Sequence, residues 1–165
     1  MARPTWIALE DDMKKMQLVS MTTLGLRLAF SRGRVLAIIG HDNRKEELIA
    51  FVRCHLSFFR NRELVATGRT AEHLRRLGLR VTAVPHGPDG GDIVVGALVV
   101  MGYIQAVFFF QEHERIQPHD PDIRALLRVC NQSRTLIADT HTEGEDVISQ
   151  LRAPSPSEVL SAPAT

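Results

Sequence analysis

Short, mainly apolar runs recur along the chain, and polar loops follow them; no other feature constrains the fold as strongly. The first run, Val35–Gly40, reads Val-Leu-Ala-Ile-Ile-Gly. A run without polar alternation is typical of a strand that is buried on both faces of a sheet. Four more short runs that are mainly apolar predict further strands, at Glu63–Gly68, Arg80–Val84, Ala106–Phe110 and Thr135–Asp139.

Segments with helical character separate these strands. Apolar side chains in Arg44–Arg60 recur at spacings of three and four, which predicts one amphipathic helix there. Further helices are predicted at Thr70–Leu77, Asp92–Met101, Pro121–Arg134 and Glu143–Arg152. Buried strands that alternate with helices favour a parallel sheet covered on both faces. We therefore predict an α/β fold of the Rossmann or flavodoxin-like kind, with three α/β/α layers around a central five-stranded, mainly parallel sheet.

The 165 residues fit one domain of ordinary size. We predict an N-terminal extension over residues 1–33, either a short helix or a partly ordered arm. The domain itself is expected to span residues 34–152. Residues 153–165 are rich in Pro, Ala and Ser and are predicted to be a flexible tail.

Charge and apolar content exclude several classes of protein. The chain has 20 Lys and Arg against 19 Asp and Glu, so it lacks the basic surface of a general nucleic-acid binder. The run Leu18–Phe30 is too short and too charged to span a membrane, and Asp11 and Asp12 argue against a secretory signal. The two cysteines, Cys54 and Cys130, suggest a reducing compartment. We expect a cytoplasmic protein.

The loops after the predicted strands hold most of the polar residues that could carry chemistry. In open parallel sheets, ligands bind at the carboxyl ends of the strands. Five loops meet at that edge: Gly40–Asn43, Thr67–Thr70, Pro85–Asp92, Gln111–Asp120 and Asp139–Thr142. This coincidence predicts a binding site there.

Two of these loops have features of an anion site. Lys45 lies in the first turn of a predicted helix, where a cation fits best if an anion is bound too. The alternative is a solvated lysine. The sequence Thr67-Gly68-Arg69-Thr70 offers hydroxyl and N–H donors for a phosphate, and the alternative there is a helix cap at Thr70.

Two other loops offer groups for proton transfer. Asp92 follows a glycine pair and would need burial or a nearby carboxylate to act as a base near neutrality; the alternative is a helix cap. His119 could donate to a carbonyl oxygen, with Asp122 completing an acid–base pair, or Asp120 could simply cap the helix. The His-Asp pairs at 41–42 and 119–120 suggest a metal site as a further interpretation, but they lack ligand spacing on a helix and a thiolate cluster, so no metal site is predicted.

Taken in order, four segments resemble the methylglyoxal synthase family: His41–Lys45, Ala66–Thr70, Gly87–Ala97 and Pro118–Arg128. The similarity runs from about Val35 to Leu151. It implies a methylglyoxal synthase-like fold and a lyase that converts dihydroxyacetone phosphate to methylglyoxal and phosphate through an enediolate, without a cofactor. The superfamily also contains non-catalytic modules, so a module that binds a phosphorylated metabolite or nucleotide is the alternative. A metal-dependent phosphohydrolase is a third, weaker hypothesis.

The resemblance also implies roles for individual residues. Asp92 would be the base that removes a carbon-bound proton. The catalytic set is Asp92, His119, Asp122 and Asp42. The substrate- and phosphate-binding set is His41, Lys45, Thr67, Gly68, Arg69, Thr70, His86 and Gly87. Inorganic phosphate is expected as product or inhibitor and a homohexamer as the assembly, with no nucleic-acid or membrane partner.

The chain departs from the family pattern around the phosphate. Arg69 stands where a hydroxyl is usual, so it would either pair with phosphate or block the pocket. His86 replaces a serine before the glycine. Asp139 adds a carboxylate near the expected anion site. These departures concern phosphate binding, whereas the residues implied in proton transfer are kept.

Overall fold

The computed structural model describes residues 32–114 and 118–153. The predicted extension at residues 1–33 and the predicted tail at 153–165 fall almost entirely outside these residues. Among the residues described, no helix combines the length and the apolar character that crossing a membrane requires.

The described strands form one five-stranded sheet in the order β3-β2-β1-β4-β5, and every pairing is parallel. The strands are β1 Val35–Gly40, β2 Glu63–Thr67, β3 Val81–Val84, β4 Ile104–Phe110 and β5 Leu136–Ala138. All six residues of the central strand β1 are buried, as expected for a strand covered on both faces. The predicted α/β class is confirmed, and the sheet is wholly parallel.

Helices cover both faces of the sheet. They are α1 Lys45–Cys54, α2 Leu56–Arg60, α3 Gly68–Arg76, α4 Gly91–Val100, α5 Asp120–Ser133 and α6 His141–Arg152. Leu36 and Ile38 of β1 share one apolar cluster with side chains of α1, α2, α3 and α6. Ala37 and Ile39 of β1, which alternate with Leu36 and Ile38 along the strand, are buried as well. Helices α4 and α5 pack against each other. The three-layer prediction is therefore confirmed.

The prediction of a single helix over Arg44–Arg60 is wrong in two respects. The helical conformation breaks at His55, with φ −110° and ψ 27°, so two helices replace one. Arg44 belongs to a 3₁₀ turn, Asp42–Arg44. Phe51 in α1 and Phe59 in α2 are both fully buried, so the apolar periodicity continues across the break. Periodicity alone therefore does not reveal it.

A glycine in α6 sets how closely that helix approaches α1. A Cβ atom at Gly144 would lie 2.5 Å from Cζ of the buried Phe51. We expect Gly144→Ala to lower the free energy of unfolding by about 1–2 kcal/mol, because over-packing outweighs the better helix propensity of alanine. Gly96→Ala in α4 is the matched control, since its Cβ would meet nothing nearer than 3.7 Å. Denaturant unfolding of the two variants checks this; equal effects would contradict it.

Candidate functional site

A cavity of about 430 Å³ lies at the carboxyl ends of the strands, where the polar loops meet. Gly40 at the end of β1 is paired with Phe110 at the end of β4, which brings the two following loops side by side. Nine of the twelve predicted site residues line the cavity: His41, Asp42, Lys45, Thr67, Arg69, His86, Gly87, Asp92 and His119.

The other three predicted site residues lie just outside the cavity lining. The His86 ring lies against Gly68, where a Cβ atom would come within 2.4 Å of its Cε1. Thr70 is the third residue of α3 and is buried, so it does not cap that helix, and its hydroxyl has no hydrogen-bond partner among the described residues. Asp122 is half-buried in the first turn of α5.

Asp92 is held in a buried position by the glycines before it. Gly90 adopts a left-handed conformation with φ 90°, and a Cβ atom at Gly91 would lie 2.2 Å from the Pro85 carbonyl oxygen. Only a glycine therefore lets α4 begin so close to the preceding loop. Asp92 is the second residue of α4 and is only 1% exposed. It lies inside the first turn of the helix, so the alternative of a helix-capping aspartate is wrong.

Burial sets the ionisation of Asp92. Neither carboxylate oxygen has a hydrogen-bond partner within the described part of the chain. Desolvation raises the pKa of Asp92, the charge on Asp122 raises it further, and His119 opposes the shift. A carboxylate without hydrogen bonds and with a raised pKa is well suited to accept a proton.

His119 lies next to this carboxylate. Its Nε2 is 3.8 Å from Asp92 Oδ2. A Cβ atom at Gly87 would be 3.0 Å from that oxygen and 3.3 Å from the same nitrogen, so any side chain at position 87 would crowd the pair. Helix α5 begins at Asp120, directly after His119, so Asp120 is not the residue that caps it.

The tautomer of His41 follows from a backbone hydrogen bond. The Glu112 N–H donates to His41 Nδ1 at 3.0 Å, so in the neutral ring the proton is on Nε2. That Nε2 is buried and has no partner among the described residues, and the ring lines the cavity. His41 can therefore donate a hydrogen bond to an oxygen of a bound molecule.

Burial, and then the nearby His119, lower the pKa of His41. The folded chain therefore binds a proton at His41 less readily than the unfolded chain does. The stability that neutral His41 contributes is full above about pH 6.5 and is lost as pH falls towards the lowered folded-state pKa. We expect the melting temperature to fall less between pH 7.5 and pH 5 in His41→Gln than in the wild type. The same fall in both proteins would contradict this.

Two cations meet at Asp42 on the more exposed side of the cavity. Lys45 Nζ donates to Asp42 Oδ1 at 2.5 Å, and Arg69 Nη1 donates to Asp42 Oδ2 at 2.9 Å. The hydrogen bond from Lys45 is the main reason why the pKa of Asp42 is lowered. The Lys45 side chain is only 11% exposed, which does not fit a freely solvated lysine, whereas Arg69 is 65% exposed. Both cations are within reach of an anion in the cavity.

Some residues that line the cavity were not predicted from the sequence. Glu112 and Asn43 line it, and Asn43 Nδ2 donates to Glu112 Oε1 at 2.9 Å. The only signal in the sequence was that both residues lie in loops after strands. Asp139, expected as an extra carboxylate near the anion, does not line the cavity; it accepts a hydrogen bond from the ring of His113 at 2.8 Å.

Comparison with known proteins gives a consistent result. No family model matches the chain. The methylglyoxal synthase of Carboxydothermus hydrogenoformans is 44% identical over 110 residues, which are 66% of this chain and 91% of that protein. The methylglyoxal synthase of Thermus thermophilus is 38% identical over 124 residues, 74% of this chain and 98% of that protein. The crystal structure of the Elizabethkingia anophelis methylglyoxal synthase superposes with a TM-score of 0.66 at 28% identity, covering 80% of this chain and 93% of that one.

Proposed function

The chain belongs to the methylglyoxal synthase family, and from this membership we propose that it is a lyase that converts dihydroxyacetone phosphate into methylglyoxal and inorganic phosphate. One observation carries the proposal. A buried carboxylate, Asp92, lies 3.8 Å from His119 in a cavity that Lys45 and Arg69 also line. Such a site can remove a proton next to a carbonyl and hold a phosphate at the same time.

The first proposed step breaks a carbon–hydrogen bond. Asp92 takes a proton from the hydroxymethyl carbon of the substrate, and the electron pair moves to the carbonyl oxygen to form an enediolate. His119 and the Nε2–H of His41 are suited to donate hydrogen bonds to the oxygens on which this charge develops. The raised pKa of Asp92 assists the step, because a base accepts a proton more readily as its pKa approaches the working pH.

The second proposed step releases phosphate. The proton of the hydroxyl on the deprotonated carbon moves to the enediolate oxygen, the hydroxyl oxygen forms the aldehyde, and the bond between the terminal carbon and the phosphate oxygen breaks. Phosphate takes up a proton as it leaves. The remaining enol gains a proton at its terminal carbon and loses the proton of its hydroxyl, which gives methylglyoxal. Lys45 is suited to stabilise the phosphate as charge moves onto it, and Arg69 is suited to bind the phosphate group throughout the reaction. Asp42 keeps the two cations in place and stays ionised, since its pKa is lowered.

Arg69 is proposed to bind the phosphate and not to block the pocket. Arg69→Ala should raise KM for dihydroxyacetone phosphate about tenfold and leave kcat nearly unchanged. A tenfold effect is at the lower end of what the loss of a charge-assisted hydrogen bond causes, because the Arg69 guanidinium is largely exposed. Arg76→Ala, on the same helix, is the control for a lost surface charge. A lower KM in Arg69→Ala would mean that this arginine obstructs the cavity.

The alternative is a module that binds a phosphorylated metabolite without chemistry. The His86 ring against Gly68 is the observation that favours it, because a ring there narrows the space beside the start of α3. Incubating the purified chain with dihydroxyacetone phosphate, and measuring methylglyoxal and phosphate, separates the two functions. Equal amounts of both products support the lyase. Thermal stabilisation by the compound without products would establish the binding module.

The family resemblance also supports proposals for the extent of the domain and for its assembly. Residues 34–152 are proposed as the catalytic domain, and a homohexamer as the assembly. Light scattering on the purified chain should then give about six times the protomer mass of 18.4 kDa. A mass of one or two protomers would remove the hexamer from the proposal.

A further inference from the structure

Three potential metal ligands converge outside the lining of the cavity in which the reaction is proposed. One nitrogen each of His55 and His141 and one carboxylate oxygen of Glu145 all lie within 4.8 Å of one another. Glu145 Oε1 is 2.8 Å from His55 Nε2 and 3.4 Å from His141 Nε2. None of the three residues lines the cavity that contains Asp92.

The fold explains why these side chains meet. His141 is the first residue of α6 and Glu145 lies one turn later, so both project from one face of that helix. His55 occupies the break between α1 and α2 and precedes Glu145 by 90 residues. Gly144 lets α6 approach Phe51 closely, and the Phe51 ring contacts the rings of both histidines, with centroids 4.8 Å from His55 and 5.1 Å from His141.

We propose that His55, His141 and Glu145 form a zinc-binding site. Two imidazole nitrogens and one carboxylate oxygen are a donor set that Zn²⁺ binds, with a water molecule in the fourth position. Zinc–ligand bonds of roughly 2.0–2.1 Å place two ligands of a tetrahedral ion about 3.3 Å apart. The separation of 3.4 Å between His141 and Glu145 already matches this spacing. The pair at 2.8 Å has to open slightly.

The ion also has access to the site. The side chains of His141 and Glu145 are 52% and 46% exposed, and that of His55 is 15% exposed. Half-exposed ligands on one helix can rotate onto an ion from solvent, whereas the less exposed His55 supplies a ligand already fixed by packing. Bound zinc would tie α6 to the junction of α1 and α2. The spacing of His141 and Glu145 is visible in the sequence, but the third ligand comes from the fold.

Zinc binding to the full-length chain tests the proposal without any measurement of activity. We expect competition with a chromophoric chelator to show one Zn²⁺ per chain bound in the wild type. His141→Ala and Glu145→Gln should weaken this binding at least about tenfold, as expected for a lost ligand or its immediate partner. His73→Ala removes an exposed histidine outside the cluster and should bind zinc as the wild type does. His141 is half-exposed, so its replacement is expected to leave the fold intact.

Thermal melting supplies a second readout. With Zn²⁺ about 100-fold above its dissociation constant, the melting temperature of the wild type should rise by roughly 5–10 °C, and that of His141→Ala should rise much less. Two results would overturn the proposal. One is a wild-type chain that binds no zinc, because the three side chains would then form only a hydrogen-bonded group. The other is unchanged zinc affinity in both His141→Ala and Glu145→Gln.

Discussion

Replacing Asp92 with asparagine is expected to slow methylglyoxal formation severely and to raise the thermal stability of the chain. The amide cannot accept the proton, so the rate should fall by about 10²–10⁴-fold, the range for a lost general base. The same change removes a negative charge from a side chain that is 1% exposed and has no hydrogen-bond partner among the described residues. Stability should rise by about 1 kcal/mol or more, since an uncompensated buried charge is costly.

The pH dependence of this stability gain has a definite sign. The folded-state pKa of Asp92 lies above its ordinary value of 3.8, so the folded chain binds the proton more tightly than the unfolded chain. The stability contributed by the protonated group is full below about pH 3.8 and is lost as pH rises through the raised pKa. The advantage of Asp92→Asn over the wild type should therefore be largest near neutrality and shrink as the pH is lowered.

Asp146→Asn is the matched control for this experiment. Asp146 is an exposed residue of α6, so the same chemical change there should alter neither activity nor melting temperature appreciably. If Asp92→Asn kept the wild-type rate, Asp92 would not be the base. If it lost activity and also stability, Asp92 would be holding the fold together in its charged form, contrary to its raised pKa.

Lys45→Gln is expected to give the second large loss. The Lys45 side chain is 11% exposed, lines the cavity and lies at the first position of α1, where backbone N–H groups add to its field. The variant lacks the Lys45 ammonium charge that would stabilise the leaving phosphate, so kcat/KM should fall by about 10²–10³-fold. Asp42 keeps Arg69 as a partner in this variant, so the melting temperature should change little.

Arg53→Gln is the control for Lys45→Gln, because it removes a positive charge from an exposed position on the same helix. Steady-state kinetics with dihydroxyacetone phosphate should show the loss in Lys45→Gln alone. Equal kinetics in Lys45→Gln and the wild type would remove Lys45 from the phosphate site. A large loss of kcat/KM in both variants would mean that the reaction depends on the overall charge of α1 and not on Lys45 in particular.

The parallel sheet and the position of the candidate site at one edge of it could be predicted from the sequence. An apolar run such as Val35–Gly40 has no hydrophilic face, so it must lie inside a sheet covered on both sides. Once the strands are parallel, their carboxyl ends share one edge, and the loops with Lys45, Asp92 and His119 must meet there. Both inferences need only local patterns and one rule of topology.

Other features depend on contacts that no local pattern contains. The burial of Asp92 depends on how closely Gly91 approaches the Pro85 carbonyl. The tautomer of His41 depends on an N–H from Glu112, which is distant in sequence. The break at His55 interrupts a segment whose apolar periodicity continues across it. Tertiary packing sets each of these features. The glycine pair before Asp92 is visible in the sequence, but the resulting burial of Asp92 is not.

The fate of deuterium on the substrate tests the central claim most directly. Dihydroxyacetone phosphate carrying two deuterium atoms on its hydroxymethyl carbon is incubated with the wild-type chain in ordinary water. Asp92 is proposed to remove one of them, so we expect methylglyoxal with a single deuterium on its aldehyde carbon, together with an equal amount of phosphate. Asp92→Asn should form this product at a rate about 10²–10⁴-fold below that of the wild type. Dihydroxyacetone that retains both deuterium atoms would show phosphate hydrolysis without carbon–hydrogen cleavage and would contradict the account.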